Sequence, residues 1–427
     1  PVPEAPAAPL DDTAVVAAAD ALRSDGPGTL SPQQVKLVET AIAQGVRDLP
    51  EGAKGRHGRL PPPGHRDQPH RAAIEIGAGV GAELFEVVEG VLDQAGHRAV
   101  VAGRLFPRDD IAAHGGPAGC RDITFRVEPM GPLAELERDW RRLEADAAPS
   151  FFLSWNWIGT LLETIPPEVA PRLLRGTVGD RTVALGVLGD ASIRRHRVVR
   201  ARRWVLNATG DPEFDCVHLE HNGLLAAPQA GWAGLLDAFA NTAGVDEIGL
   251  PGVAAPPPVA LVEQRGLLRH ETPELSFAVD LGALDDSGGD VAAILSRNSR
   301  SQFRRALHRL EPARLEAATS PAEAIDFFRT LKELHVPWWE RRGLPHAFVH
   351  DFFEHFHERL IERGFAEGAI ELLRLRSADR TLGVLYNFRR GSQVYAYQSG
   401  FVQPSEHERP GVVAHALAIR RAWQQGA

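Results

Sequence analysis

The start of the last predicted helix has residue types that suit an anionic ligand. Arg409-Pro410-Gly411 opens this helix after a polar loop that runs from Ser399 to Glu408. Proline is favoured in the first turn of a helix, and the glycine beside it leaves the first backbone N–H groups uncovered. Since these N–H groups and the helix dipole attract negative charge, the pattern predicts a site for an anion, most simply a pyrophosphate. An ordinary helix start is the alternative interpretation.

A glycine-rich turn, Gly77 to Gly81, is a second place where a cofactor could bind. It lies between a predicted strand, Ala72 to Ile76, and a predicted helix, Glu83 to Gln94. Such a turn lets backbone N–H groups approach a phosphate or a nucleoside, and it resembles the first motif of adenosylmethionine-dependent methyltransferases. Arg104 stands where an acid is expected after the next strand, and too few residues follow for a doubly wound sheet. A tight structural turn is therefore the favoured interpretation.

Four histidines crowd one segment: His346, His350, His355 and His357. His346 and His350 have helical spacing, but Pro345 precedes the first and no HExxH pattern accompanies them. We therefore predict a polar helix surface and no metal site. Hydrolase chemistry is also disfavoured, because the chain has no GxSxG nucleophile motif.

Arginines cluster in two stretches of a chain whose net charge is −9. One cluster follows a predicted helix face: Arg297, Arg300, Arg304, Arg305 and Arg309. The other lies on a predicted strand pair: Arg194, Arg195, Arg197, Arg200, Arg202 and Arg203. A solvated surface is the usual explanation, but the clusters also suit carrier phosphate, an acidic sugar polymer, a lipid head group or a tRNA acceptor end. We favour a carrier or acceptor phosphate bound at Arg304 and Arg305.

The elements that position these residues follow a pattern that occurs twice. Leu173-Leu174-Arg175 with Asp180-Arg181-Thr182 is echoed by Leu372-Leu373-Arg374 with Asp379-Arg380-Thr381. Each copy reads as a β-hairpin, because apolar runs flank a polar turn. The pattern therefore predicts two copies of one domain, with chance similarity as the alternative.

The flanks of each hairpin support the duplication. Two helical patterns precede each hairpin: Leu133 to Ala145 and Trp155 to Thr164 in the first copy, and Ala322 to His335 and Phe348 to Arg363 in the second. A strand, a loop and a helix follow each hairpin: Cys216 to Leu219, His221 to Gly223 and Trp232 to Ala240 in the first copy, and Val394 to Gln398, Ser399-Gly400 and Gly411 to Trp423 in the second. Both copies thus have the same predicted order of elements.

Length and composition are typical of a soluble enzyme with two or three domains. The chain has 427 residues, with 44% hydrophobic and 24% charged residues. No apolar run is long enough to span a bilayer and no leader pattern opens the chain, so a cytoplasmic location is expected. The two cysteines, Cys120 and Cys216, offer no disulfide framework. The negative charge argues against DNA binding.

The first part of the chain differs from the rest. A proline-rich lead precedes helical patterns at Thr13 to Leu22 and Pro32 to Val46, and Glu51 to Arg71 is almost without apolar residues. We expect this last segment to be a mobile linker.

Several segments, taken in order, resemble the CelD-type branch of the GNAT acyltransferases. They are Phe125 to Pro129, Phe151 to Trp155, Ser296 to Glu311, Glu333 to His335 with Trp338-Trp339 and Arg342-Gly343, Tyr395 to Phe401, and the Arg409-Pro410-Gly411 helix start. The resemblance covers Asp122 to the end and extends to the Fem-type aminoacyltransferases. It implies an α/β (α+β) fold of tandem GNAT-like domains with mixed sheets flanked by helices. The expected division is an N-terminal extension of unknown role at 1–120, a first domain at 121–285 and a second, carrier-binding domain at 286–427.

The resemblance also implies roles for individual residues. A carrier pyrophosphate would sit on the helix start at Arg409, Gly411 and Val412, although the usual glycine-rich loop is reduced here to Gly411. Relatives continue into further strands beyond the helix that ends this chain.

The implied reaction needs a base, an acid and donors to the acyl carbonyl. His335 is the preferred base, beside an apolar wall of Trp338 and Trp339, and a capping or packing histidine is the alternative. Tyr397 is the candidate acid for the leaving thiolate, with a packed aromatic as the alternative. Gln398 and Ser399 would contact the acyl carbonyl.

Three functions follow from these patterns. The first is transfer of an acyl group, most simply acetyl, from acyl-CoA to an amine or hydroxyl of a sugar, a polysaccharide precursor or a small metabolite, without a metal. The second is an aminoacyl-tRNA-dependent transferase, which is less favoured because the long helical arm of Fem-type relatives is missing. The third is a non-catalytic exopolysaccharide-associated binding protein.

Overall fold

The computed structural model describes residues 73–76, 123–195, 199–226, 231–271, 276–403 and 408–426. These residues belong to one compact unit. The predicted helices before residue 50, the linker, the glycine-rich turn and the helix after it lie outside the described residues. No helix in the described part is long and apolar enough to cross a membrane.

The first half of the described chain contains one mixed sheet with helices. The short strand β1 (Ala73–Ile76) precedes this half in the chain and belongs to the other sheet. The elements of the first half are β2 (Thr124–Pro129), α1 (Leu133–Ala147), α2 (Trp155–Thr164), β3 (Arg172–Val178), β4 (Arg181–Arg195), β5 (Val199–Leu206), β6 (Leu225–Ala226), α3 (Ala233–Ala240), β7 (Glu247–Gly249) and α4 (Val259–Glu263). The strand order is β2-β3-β4-β5-β7, with β6 paired to β4. All pairs are antiparallel except β5 with β7.

The second half repeats much of this order. Its elements are β8 (Phe277–Asp280), α5 (Arg297–Arg309), β9 (Ala313–Ala317), α6 (Pro321–Glu340), α7 (Asp351–Gly364), β10 (Ile370–Ser377), β11 (Arg380–Arg390), β12 (Gln393–Phe401) and α8 (Pro410–Gln424). The sheet order is β8-β1-β12-β11-β10-β9. In both halves a strand, two helices, three antiparallel strands and a helix follow one another, with the two-residue strand β6 inserted before the last helix of the first half.

The edge of β12 is covered by β1, which comes from upstream of the first half. Ala73 pairs with Gln393 and Ile76 pairs with Ala396 in parallel register. On its other side β1 pairs with β8, so β1 joins β8 to the sheet. β1 therefore stands beside β12 as β7 stands beside β5.

The two halves share an apolar core. Phe151 and Trp157 of the first half pack against Phe388, Phe356 and other rings of the second. Polar contacts flank this core: the buried Glu144 carboxylate accepts hydrogen bonds from Arg390 Nη1 at 2.5 Å and from the backbone N–H of Trp155 at 3.0 Å. The second sheet carries a separate core on its other face, formed with α5 and α8.

The sequence predicted both hairpins and all four helices that precede them, but three details are wrong. The predicted strand Cys216 to Leu219 is instead a 3-10 turn, Asp215–Val217, because the Asp215 carboxylate accepts hydrogen bonds from the loop at Thr209 and Gly210. Ser399 and Gly400 continue β12, because both pair with β11. The helix predicted from Phe348 begins only at Asp351, after a separate 3-10 turn.

Candidate functional site

One end of the second sheet gathers most of the predicted site residues. β12 ends at Phe401, which pairs with Gly383 near the start of β11. The start of β9 lies at the same end, because Ala313 pairs with Ser377. The end of α6 on one face of the sheet, and the start of α8 and the end of α5 on the other face, therefore lie at this end.

The peptide unit of Ser399 faces away from β11 at this end. The N–H of Val402 bonds to the carbonyl of Leu382, and the register places Ser399 opposite Leu385 in a pair without backbone hydrogen bonds. Its N–H donates to Oε1 of Gln398 at 3.1 Å, and its carbonyl accepts from Nδ1 of His335 at 2.8 Å. No described strand pairs with this edge of β12 beyond Ala396. The edge is thus open at the predicted acyl position.

The contact with Ser399 sets the tautomer of His335. A carbonyl oxygen only accepts, so Nδ1 carries the proton and Nε2 of the neutral ring holds the lone pair. Nε2 is buried and has no hydrogen-bond partner in the described structure. Burial, with a smaller contribution from nearby His346, lowers the pKa of His335 to about 4. The hydrogen bond to the carbonyl of Ser399 acts in the opposite direction and raises this pKa. His335 is therefore neutral at pH 7 and can accept a proton at Nε2.

Aromatic rings and a second histidine surround His335. The ring of Trp339 lies 5.7 Å and that of Phe348 lies 5.6 Å from the His335 ring, measured between centroids. Trp338 packs on Trp339, as the predicted apolar wall requires. Nδ1 of His346 is a further buried ring nitrogen that lacks a partner among the residues described. His335 and nearby His346 thus each hold one buried, unpartnered ring nitrogen among the residues described.

Helix α6 can approach β12 closely because residue 400 has no side chain. A Cβ at Gly400 would lie 2.4 Å from the backbone oxygen of Leu331 and 3.1 Å from the backbone nitrogen of His335. We expect Gly400→Ala to push α6 away and to lower the free energy of unfolding by about 2 kcal/mol, a typical cost of overpacking. Urea denaturation measures this effect. Gly131→Ala is the control, since no atom lies within 4 Å of the added methyl, and equal stability of both variants would contradict the close approach.

The start of α8 fits the predicted anion site. Pro410 occupies the first turn, and no side chain caps the helix within the described residues. Gly411 and Val412 are buried, and their N–H groups precede Val413, which donates to the carbonyl of Arg409. A buried helix start with N–H groups beyond the reach of intrahelical acceptors favours an anion.

The two arginine clusters have different surroundings. Arg304 and Arg305 are exposed on α5 and form no ion pair with a described residue, whereas Arg202 and Arg203 pair with Asp190 and Glu247. The ion pairs account for Arg202 and Arg203 without a ligand. The side chains of Arg194, Arg195 and Arg197 lie outside the described residues.

Tyr397 lies apart from His335, in the core between the halves. Its hydroxyl donates to the carbonyl of Val217 and accepts from Nε2 of His357 at 3.1 Å, while Nδ1 of His357 faces the hydroxyl of Tyr386 at 3.3 Å. Burial raises the pKa of Tyr397 well above its ordinary value of 10.0. These contacts favour the packed aromatic that the sequence left as an alternative.

The histidine-rich segment shows no metal-binding arrangement. Within the described residues, His, Cys, Asp and Glu side chains form no group of three or more that could hold a metal ion. His357 is fully buried and bonded to the two tyrosines, so it does not belong to a polar helix surface as the sequence predicted.

Part of the chain matches the model of a known protein family. Residues 296–427 match the family model of the acetyltransferase (GNAT) domain. This range begins at Ser296, which caps α5, and contains the whole site described above. A comparison with curated proteins gave no match. The match supports a general acyltransferase function for this part of the chain.

Sequence reasoning missed the second histidine of the site. His346 stood among four histidines weighed only as metal ligands, and its place near His335 depends on how α6 and α7 pack. The only sequence signal that could have singled out His346 was its position between Pro345 and the predicted helix.

Proposed function

We propose that the second half transfers an acyl group from acyl-CoA to an amine. The contact between His335 and the outward-facing peptide of Ser399 carries this proposal, because it lies at the end of β12 within the region that matches the GNAT domain. The acceptor proposed is an amine of a sugar, a polysaccharide precursor or a small metabolite, as the CelD-type resemblance implies. The same resemblance and the repeated order of elements support an origin by tandem duplication.

The reaction needs few groups. The amine nitrogen attacks the thioester carbonyl carbon, the C–S bond breaks, and the sulfur leaves as thiolate. Nε2 of His335 accepts the proton that the amine loses, while Nδ1 stays bound to the carbonyl of Ser399 and keeps the ring in place. The N–H of Ser399 donates to a side-chain oxygen, Oε1 of Gln398. When this side chain rotates away, the N–H can donate to the oxyanion instead. The thiolate takes its proton from His335 or from water.

One feature favours an amine over a hydroxyl. A base whose pKa is lowered to about 4 is too weak to activate a hydroxyl but can relieve the acidic ammonium formed after amine attack.

Calorimetric titration with acetyl-CoA, free CoA and a long-chain acyl-CoA tests the carrier site. We expect binding, and we expect Arg409→Ala to weaken it about tenfold by removing a cation beside the α8 start. Arg420→Ala is the matched control, because this exposed arginine lies near the other end of α8.

Failure to bind any of the three ligands would contradict the acyl-CoA proposal. The aminoacyl-tRNA-dependent transferase and the non-catalytic binding protein would then be favoured. If Arg409→Ala and Arg420→Ala weakened carrier binding equally, the carrier would not be bound at the start of α8.

A further inference from the structure

The loop between α6 and α7, residues 341–350, exposes apolar side chains beside the candidate site. Leu344 is 48% exposed and Val349 is 57% exposed, on either side of His346. In the described part of the chain only two other large apolar side chains are exposed, Val259 and Leu268. Single exposed apolar residues are ordinary, but two on one loop beside the candidate site indicate a contact surface.

The same loop is basic and contains no acidic residue. Arg341 is exposed, and the guanidinium of Arg342 stacks 3.3 Å above the ring of Trp338 while donating to its carbonyl at 3.0 Å. Apolar tips with arginines and a tryptophan at their base are the composition of surfaces that enter the head-group region of a bilayer.

Further unpaired positive charge lies at this end of the sheet, on the opposite face, which α5 covers. Arg304, Arg305 and Arg309, near the end of α5, are exposed and form no ion pair with any residue that the structure describes. A nucleic acid backbone would match the arginines but would gain nothing from exposed Leu344 and Val349. An anionic lipid surface matches both the charge and the apolar tips.

We propose that this end of the molecule docks peripherally on an anionic phospholipid bilayer. Leu344 and Val349 enter the head-group region, and Arg341 with the α5 arginines contacts lipid phosphates. The proposal rests on the proposed function only for the identity of the adjacent site. Docking turns that site toward the membrane, where an amphiphilic acceptor is within reach.

Co-sedimentation of the full chain with vesicles tests the docking. We expect binding to vesicles of equal parts phosphatidylcholine and phosphatidylglycerol, weak binding to phosphatidylcholine alone, and loss of binding at high salt. Leu344→Asp with Val349→Asp weakens partition at least about tenfold, because buried apolar area is replaced by charge. Arg341→Gln weakens partition about fivefold, and only on the anionic vesicles.

Val259→Asp with Leu268→Asp is the matched control, because both residues are exposed apolar side chains of the first half and do not belong to the loop. Absent vesicle binding, or equal losses in the two double variants, would overturn the docking surface. So would binding to duplex RNA that depends on Arg341 while vesicle binding does not. Acetyl-CoA titration of the Leu344→Asp, Val349→Asp variant keeps the two proposals apart, since carrier binding should persist when vesicle binding is lost.

Discussion

Replacing His335 by asparagine is expected to lower kcat by about 10²- to 10³-fold while leaving the affinity for acetyl-CoA unchanged. The amide nitrogen of asparagine can take the place of Nδ1 and keep the hydrogen bond to the carbonyl of Ser399. The substitution then removes only Nε2, the unpartnered nitrogen that accepts the proton. Turnover is measured with an amine acceptor found by screening for acetyl-CoA consumption, and carrier affinity is measured by calorimetry.

The control for this variant is His355→Asn. His355 is an exposed histidine on α7, so its loss removes an imidazole without touching the site. A His335→Asn enzyme with near-normal kcat would contradict the assignment of the base. If the His335→Asn variant lost both acetyl-CoA affinity and kcat, the role of His335 would instead be to pack against the end of β12.

The free energy of unfolding is expected to fall steeply as the pH decreases from about 7 to about 5, because several histidines are buried in the neutral form. Burial lowers the pKa of His221 and His335 from 6.5 to about 4 and that of His415 to about 3. Burial also holds the pKa of His357 well below 6.5, with a smaller contribution from nearby His218.

The sign follows from proton binding in the two states. Below pH 6.5 the unfolded chain protonates these histidines while the folded chain does not, so stability that is full above pH 6.5 is lost as the pH falls toward 4. At pH 5 the lowered pKa of each of His221, His335 and His415 costs about 2 kcal/mol, and together the three approach the whole stability of a typical domain. Asp215 acts in the opposite direction, because burial raises its pKa and the folded chain then binds its proton more readily.

Urea denaturation at several pH values measures this dependence. His355→Gln should leave the slope unchanged because that histidine is exposed, whereas His415→Leu should reduce the slope by about one proton. A pH-independent denaturation midpoint between about pH 5 and 7 would show that these histidines are hydrated in the folded protein.

Local patterns in the sequence determined the elements. The hairpin turns at Gly179-Asp180 and Ala378-Asp379 and helix α2 lie where the patterns place them, because apolar spacing and turn residues act over short distances. The predicted strand near Cys216 was wrong, because that segment is held by side-chain contacts of Asp215 that apolar spacing does not report.

The sequence named the parts of the candidate site but not their geometry. His335, Ser399 and the α8 start were chosen from residue types, and their order along the chain resembled one family. The tertiary structure decided that His335 bonds to the Ser399 carbonyl, since that contact depends on how α6 crosses β12 at Gly400. It also placed Tyr397 in the core beside His357 and Val217, because both partners come from distant sequence and reach Tyr397 only in the packed fold. The sequence alone thus determined elements and residue types, whereas long-range packing decided which atoms meet.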